Sequence, residues 1–455
     1  MRFIWHLMLM FFIFFKLSVA QKLLLLFLDG FRWDYIKKTD LIGFSKLKQD
    51  GAYVEKVIPV FPADCHPNIY SIFTGLYPRH HGVLGNQVYS SKLKQEFDHS
   101  NSIHRRDVHK WVDAEPLWVT SKNQGKQSFL YHLPTCESSF DPLSPSHCVP
   151  YHVDSMRLDE FNSSVKEAVR SLMSGAASMA VVYNDLLDKV THSFGPQSAT
   201  LTDHLLPQID ATIQWLLRLL NGNHGNHGSH GIHLVVLSDH GMAQIAKHRQ
   251  IYLERLILRS EIERLINQGG YVSIWAKPGY LDSVEWRLRL ASADTDAHFK
   301  LYTHGTMPEH WNVFDGGNLS PQLLLVAEPG YFISSNELEF PSGDDYYDSG
   351  WHGYAPEHEE MASPLLAYGP RLQPGTKIDV IHVTDVYQLL AHILEVVPQS
   401  HNGSSTFLSS LMLLQQPSPS RQGLEPLNMA TSKNRYEQLL LMVLLPVSLV
   451  TSPML

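Results

Sequence analysis

KLLLLFLDG, residues 22–30, is a continuous apolar run of strand length that stops at an Asp-Gly pair. A strand with one wet face alternates apolar and polar residues, so an unbroken run marks a strand covered on both faces. Two later runs repeat the form. Residues 180–183 end just before Asp185 and Asp188, and residues 233–237 end just before Ser238, Asp239 and His240. Helical spacing separates them, as in residues 201–220, which predicts an α/β fold: a mostly parallel sheet with helices on both faces. Sheets of that kind bind ligands beyond the carboxyl ends of their strands, where Asp29, Asp239 and His240 fall. Residues 271–334 read as short strands around one helix near 282–290, a small α+β insertion that caps the main sheet.

Further along, FPADCHPNIYSIFTG, residues 61–75, puts Cys65 where a strand-like run hands over to a helix, with Pro67 suited to the first turn and Gly75 to the end. A helix start presents unpaired N–H groups that lower a thiol's pKa and attract phosphate. Cys65 is therefore a candidate nucleophile facing an anionic substrate; an inert buried cysteine is the plainer alternative. The chain has three cysteines. Cys136 and Cys148, in a segment rich in Pro and Ser, are the easy disulfide pair, which leaves Cys65 free. Asp29, Asp188, His192, Asp239, His240 and His352 complete a set of carboxylates and imidazoles that suits Zn²⁺. Two such ions about 4 Å apart clamp the attacking and leaving oxygens of a phosphoryl transfer. Asp188 and His192, at i and i+4, can share one helical face.

The two ends read as processing signals. Arg2, an apolar run and Ser18-Val19-Ala20 give residues 1–20 the layout of a signal peptide, with an uncleaved anchor as the alternative. Residues 439–455 are apolar and uncharged, and they follow a polar spacer and small residues. Residues 433–455 thus read as a GPI-attachment propeptide and residues 406–432 as a linker. Sequons at Asn162, Asn318 and Asn402 agree with the secretory route and an extracellular, lipid-anchored location. About 385 residues lie between the ends, residues 21–405, enough for one large domain with an elaboration. A formal net charge of −9 and no sustained Lys/Arg run exclude a nucleic-acid binder.

LFLDGFRWDY, FPADCHPNIYSIFTGLYPRHHGVLGN, LLDKVTHSFGP, VVLSDHGM and GWHGY occur in that order. With them the chain resembles the ectonucleotide pyrophosphatase/phosphodiesterase family of the alkaline phosphatase superfamily, from residue 22 to about residue 398. The resemblance implies two zinc ions, one held by Asp29, Asp239, His240 and Cys65 and the other by Asp188, His192 and His352. It places Asn86 on a phosphate oxygen, and it leaves a homodimer open. Within the family, AEPLWVT (114–120), the Cys136/Cys148 pair and GWHGYAPE (350–357) are similar to the choline-specific branch. That likeness implies release of phosphocholine from glycerophosphocholine, lysophosphatidylcholine or sphingosylphosphocholine. Tyr183 would then face the trimethylammonium, with Asp185 and Asp64 as available acids. The alternatives are a nucleotide pyrophosphatase/phosphodiesterase and a weakly active or inactive surface protein of the same fold. In one respect the chain departs from the family, whose nucleophile is Thr or Ser where this chain has Cys65. Three readings of that cysteine stand: a working thiolate nucleophile, a thiolate bound too firmly to zinc to attack, and conversion to formylglycine. Ile69, where the sulfatase motif wants Arg, argues against the last.

Overall fold

The structure, a computed structural model, describes residues 20–413 apart from 38–39, 113, 138–143, 153–156, 222–230, 247, 315–316 and 336–348. The expected GPI signal, the linker from residue 414 and the signal peptide up to residue 19 lie outside the described residues.

In chain order the strands that frame the site are β1 (Lys22–Leu28), β2 (Ala52–Ile58), β3 (Ser128–Tyr131), β4 (His147–Val149), β5 (Met179–Asn184), β6 (Ile232–Leu237), β7 (Ile262–Ile266), β8 (Tyr271–Ala276), β9 (Phe299–Thr303), β10 (Leu323–Ala327), β11 (Ser363–Tyr368) and β12 (Thr376–His382). Eight of them form one sheet in the order β12-β2-β11-β6-β1-β5-β3-β4. β1 lies between β5 and β6 and runs parallel to both, with Leu23 opposite Met179 on one side and His233 on the other. Among the described strands of this sheet only β11 runs against its neighbours, β2 and β6.

The unbroken apolar run of β1 has a direct physical cause. Leu23, Leu25 and Phe27 point into one core, shared with α2 (Cys65–Thr74) and α7 (Val383–Leu394). Leu24, Leu26 and Leu28 point into the other, shared with α1 (Ile42–Asp50), α3 (Leu158–Ser174) and α5 (Leu206–Asn221). All six side chains have no exposed surface. Burying each is worth roughly 1.5–3 kcal/mol, and a polar residue at any of the six would face apolar neighbours.

β7, β8, β10 and β9 form a separate antiparallel sheet in that order, against which α6 (Leu281–Ser292) packs through Val284 and Leu288. This is the small α+β insertion, and its sheet begins at Ile262 rather than at residue 271. At the far end the fold runs past residue 405. A short helix, Leu408–Leu411, buries Leu411, and Met412 bridges to Leu372, so residues 406–413 pack on the domain.

Cys136 and Cys148 are disulfide-bonded and Cys65 is free. Of the three sequons, Asn318 and Asn402 are exposed and Asn162 sits in α3; the carboxamide oxygen of Asn162 accepts from the Thr212 hydroxyl at 2.6 Å and that of Asn402 from the Tyr77 N–H at 3.1 Å. No described helix is long and apolar enough to cross a membrane.

Candidate active site

Strand ends deliver the first group of donors. Asp29 follows β1, and its N–H donates to the Asn184 carbonyl at the end of β5 at 2.9 Å. Asp239 and His240 follow β6, and Cys65 opens α2. One donor atom from each of Asp29, Cys65, Asp239 and His240 lies within 4.8 Å of all the others. Cys65 Sγ is 3.3 Å from His240 Nε2 and 3.8 Å from Asp29 Oδ1. His240 Nε2 lies 3.4 Å from Asp29 Oδ1 and 3.6 Å from Asp239 Oδ2, and its Nδ1 is 2.8 Å from the Gly241 carbonyl, which fixes the ring.

A second group comes from α4 (Leu186–Phe194) and the loop after the short strand Ser349–Trp351. Asp188, His192 and His352 gather their donor atoms within the same 4.8 Å limit. The i, i+4 spacing brings His192 Nε2 to 3.4 Å from Asp188 Oδ1, and His352 Nε2 approaches the same oxygen at 3.7 Å. The Gly350 carbonyl holds His192 Nδ1 at 2.8 Å. The two groups abut through the stacked rings of His240 and His352, whose centroids are 3.9 Å apart. They abut again at Gly30, whose φ of +68° and closeness to Asp188 explain the Asp-Gly pair: a Cβ there would lie 2.9 Å from Asp188 Cα.

Without a cation this arrangement is electrostatically unbalanced. Burial, then Asp239 and Asp188, push the Asp29 carboxyl well above its usual range. Burial and Asp188 push Asp239 up to about 7. The Cys65 thiol is pushed well up by burial and by the surrounding Asp29, Asp239, Asp188 and Asp64. Burial also acts to raise Asp188, but the imidazoles of His192 and His352 outweigh it and hold that carboxyl below the carboxylate range. Asp239 Oδ2 and Asp188 Oδ1 are buried with no hydrogen-bond donor. Buried polar oxygens are normally partnered, and a carboxylate, imidazole and thiolate set with one orphan oxygen in each half is what metal cations satisfy. The residues present therefore fit two metal ions.

Over these donors lies a cavity of about 510 Å³, lined in part by Asn86, Tyr151, Tyr183, Asp185, Lys189 and Tyr271. Such a volume takes a small organic molecule, well beyond a phosphate alone. Asp29, Cys65, Asp188, His192 and His352 line the cavity together with both sequence-predicted substrate residues, Asn86 and Tyr183, and Asp239 and His240 adjoin it through the first donor group. Asn86 Nδ2 donates to Asp64 Oδ1 at 2.6 Å and its Oδ1 accepts from the His66 N–H at 3.0 Å, so its carboxamide is oriented. Tyr183 donates its hydroxyl to Asp29 Oδ2, and burial, then Asp29, hold that phenol protonated.

The two acids offered for a trimethylammonium group are already engaged. Asp64 caps α2, accepting from the Cys65 N–H at 3.2 Å, and it also accepts from Asn86 and from the Tyr271 hydroxyl at 3.1 Å. His352 Nδ1 lies 3.3 Å from it, and although burial acts to raise Asp64, that contact keeps its pKa low. Asp185 accepts from the Tyr151 hydroxyl at 2.8 Å and pairs with Lys189 Nζ at 2.8 Å. Sequence reasoning missed Tyr151, Lys189 and Tyr271, which come from a loop, a helix face and the insertion; the one available signal was that Asp64 stands at an N-cap position.

The sequence profile described as type I phosphodiesterase / nucleotide pyrophosphatase matches residues 23–355. Ectonucleotide pyrophosphatase/phosphodiesterase family member 5 of Homo sapiens is 29% identical over 388 residues, covering 84% of this chain and 76% of that protein. The bis(5'-adenosyl)-triphosphatase of Mus musculus is 30% identical over 405 residues, covering 87% and 82%. A solved structure of murine ectonucleotide pyrophosphatase/phosphodiesterase 5 superposes with a TM-score of 0.76 at 27% identity, over 86% of this chain and 100% of that one. The murine protein has also been solved as an inactive threonine-to-alanine variant in complex with AMP, with the same TM-score of 0.76, 27% identity and coverage of 86% and 100%.

Proposed function

Because this chain belongs to the type I phosphodiesterase / nucleotide pyrophosphatase family, we propose that it is a zinc-dependent nucleotide pyrophosphatase/phosphodiesterase with Cys65 as its nucleophile. The observation that carries the reading is the place of Cys65 Sγ, at the start of α2 and within donor distance of Asp29, Asp239 and His240. Metal ions held by Asp29, Cys65, Asp239 and His240, and by Asp188, His192 and His352, would neutralise the carboxylates and polarise the phosphoryl oxygens. The thiolate of Cys65 attacks phosphorus as the P–O bond to the leaving group breaks, and the leaving oxygen takes a proton from solvent. Water then cleaves the S–P bond and restores the thiolate. Asn86, oriented by Asp64 and the His66 N–H, is placed to bind a phosphoryl oxygen.

Nucleotide esters are favoured over choline esters on charge. A trimethylammonium group wants an acid to balance it, and Asp185 is paired with Lys189 while Asp64 is held by Tyr271, Asn86 and His352. One of the relatives is named for action on a bis-adenosyl triphosphate, and the murine structure holds AMP, which supports the same choice. The deciding experiment compares hydrolysis of a p-nitrophenyl nucleoside monophosphate with that of p-nitrophenyl phosphorylcholine by the secreted protein. Preference for the choline ester would sink the nucleotide reading.

The choice of zinc rests on the thiol, imidazole and carboxylate donors, and elemental analysis of the purified protein tests it. Lipid anchoring at the cell surface rests on residues 433–455 alone, and release of the protein from cells by a phosphatidylinositol-specific phospholipase tests that.

A further inference from the structure

Arg105 is 3% exposed, although it stands in a polar run, HRRD, that reads as surface. It lies on a short helix, Ser102–Arg106, whose first turn is capped by Asn101 Oδ1 accepting from the Ile103 N–H at 2.9 Å. From there the guanidinium reaches three separate places in the chain. Nη1 donates to the carbonyls of His99 at 3.0 Å and Ser100 at 2.9 Å. Nη2 donates to Glu137 Oε1 at 3.2 Å and to the Tyr151 carbonyl at 3.4 Å. Glu137 Oε1 accepts in turn from the Tyr151 N–H at 3.0 Å, and the Tyr151 ring centroid lies 5.3 Å from the guanidinium carbon. His99, Ser100 and Tyr151 all line the cavity, and none of them belongs to the two donor groups.

We propose that Arg105 is a positioning residue that locks the 98–100 segment to Tyr151 and so fixes the part of the cavity that receives the nucleoside portion of the substrate. The inference rests on the nucleotide reading above. The phosphate is assigned to the donor groups, which leaves this lining for the organic group. Arginine is needed because its planar fork meets acceptors at all three places at once; a lysine ammonium keeps the charge but has no such fork.

The test measures binding of AMP and of inorganic phosphate to the metal-loaded protein, together with kcat and KM for a p-nitrophenyl nucleoside ester and for methyl p-nitrophenyl phosphate. Arg105→Met is expected to weaken AMP binding and raise KM for the nucleoside ester about tenfold, leaving phosphate affinity and kcat on the methyl ester within about twofold. Arg105→Lys falls between Arg105→Met and wild type. Glu137→Gln, which keeps an acceptor, gives a smaller shift in the same direction and carries the test if Arg105→Met is not secreted. Equal loss of AMP and phosphate binding, or unchanged AMP binding in folded variants, overturns the positioning role. A wild-type protein that binds phosphate but not AMP overturns the nucleotide reading instead, so the two failures are distinct.

Discussion

The donor group around Asp29 collects two carboxylates and a thiol against one imidazole, whereas the group around Asp188 sets one carboxylate between two imidazoles. Geometry hardly separates them, since each gathers its donors within 4.8 Å. Charge does. In the first group Asp239 rises to about 7 and Asp29 and Cys65 climb well above their usual ranges, while in the second the imidazoles hold Asp188 down. One half of the site thus holds protons that an entering cation would displace, and the other is largely balanced by its own histidines. The first half also holds the thiol that does the proposed chemistry, so the charge imbalance and the reactivity share one place.

The largest effect that tests this division is on turnover. Cys65→Ala should cost about 10³-fold or more in kcat, as loss of a nucleophile does, while Cys65→Ser keeps measurable hydrolysis. Full activity of Cys65→Ala on a nucleoside ester removes the thiol from the mechanism. Next come the ligands themselves. Asp239→Asn and His192→Ala should each lower bound metal from two ions per chain toward one, with activity falling at least about 10–100-fold. In the presence of chelator they should part company. Asp239→Asn relieves repulsion and raises the melting temperature, and His192→Ala lowers it by leaving Asp188 with one imidazole fewer. If both variants shift the same way, the contrast in charge is wrong.

Gly30→Ala attacks the seam between the groups, because Gly30 N–H points to Asp239 Oδ1 at 3.5 Å while its Cα faces Asp188. A side chain at φ +68° and 2.9 Å from Asp188 Cα should cost about 1–3 kcal/mol of stability, read by denaturant melts, and loosen both ions together. Loss of one ion alone would mean that the halves are mechanically separate. The last effect is in pH. Asp239 binds its proton more tightly folded than unfolded, so in chelator its contribution to stability falls as pH rises from about 4 to 7. Asp188, held low, works in the opposite sense and loses its contribution as pH falls through the carboxylate range. Subtracting the melting curves of Asp239→Asn from those of the wild type isolates the first term; a difference that does not change with pH refutes it.

Much of this was legible in the sequence because it depends on short-range pattern. A strand buried on both faces leaves an apolar run, a helix start leaves an early proline, and donors at strand ends follow those runs directly. Asp29, Asp239, His240 and Cys65 were found in that way. The antiparallel direction of β11 was not legible, since SPLLAY carries the same apolar composition in either orientation. Nor was Arg105, which looks like its exposed neighbour Arg106; only the approach of His99, Ser100, Glu137 and Tyr151 distinguishes the two. The engagement of Asp64 by Tyr271 depends on how the insertion docks, a contact between residues 207 positions apart. Long-range polar contacts of this kind leave no periodic trace.

The place of β1 has a consequence for the life of the chain before it is a protein. β1, the first of the described strands, is flanked by β5 and β6, so it cannot finish pairing until residue 237 has left the ribosome. At cellular synthesis rates of about 5–20 residues per second, that interval is roughly 10–40 s. Until β5 has followed, LLLLFL is an unpaired, uncharged, strand-forming hexamer, the type of segment from which intermolecular sheets nucleate. The same six side chains that make the finished sheet secure therefore make the nascent chain dependent on chaperones, and yield in a heterologous host should respond to translation speed more than to any change at the site.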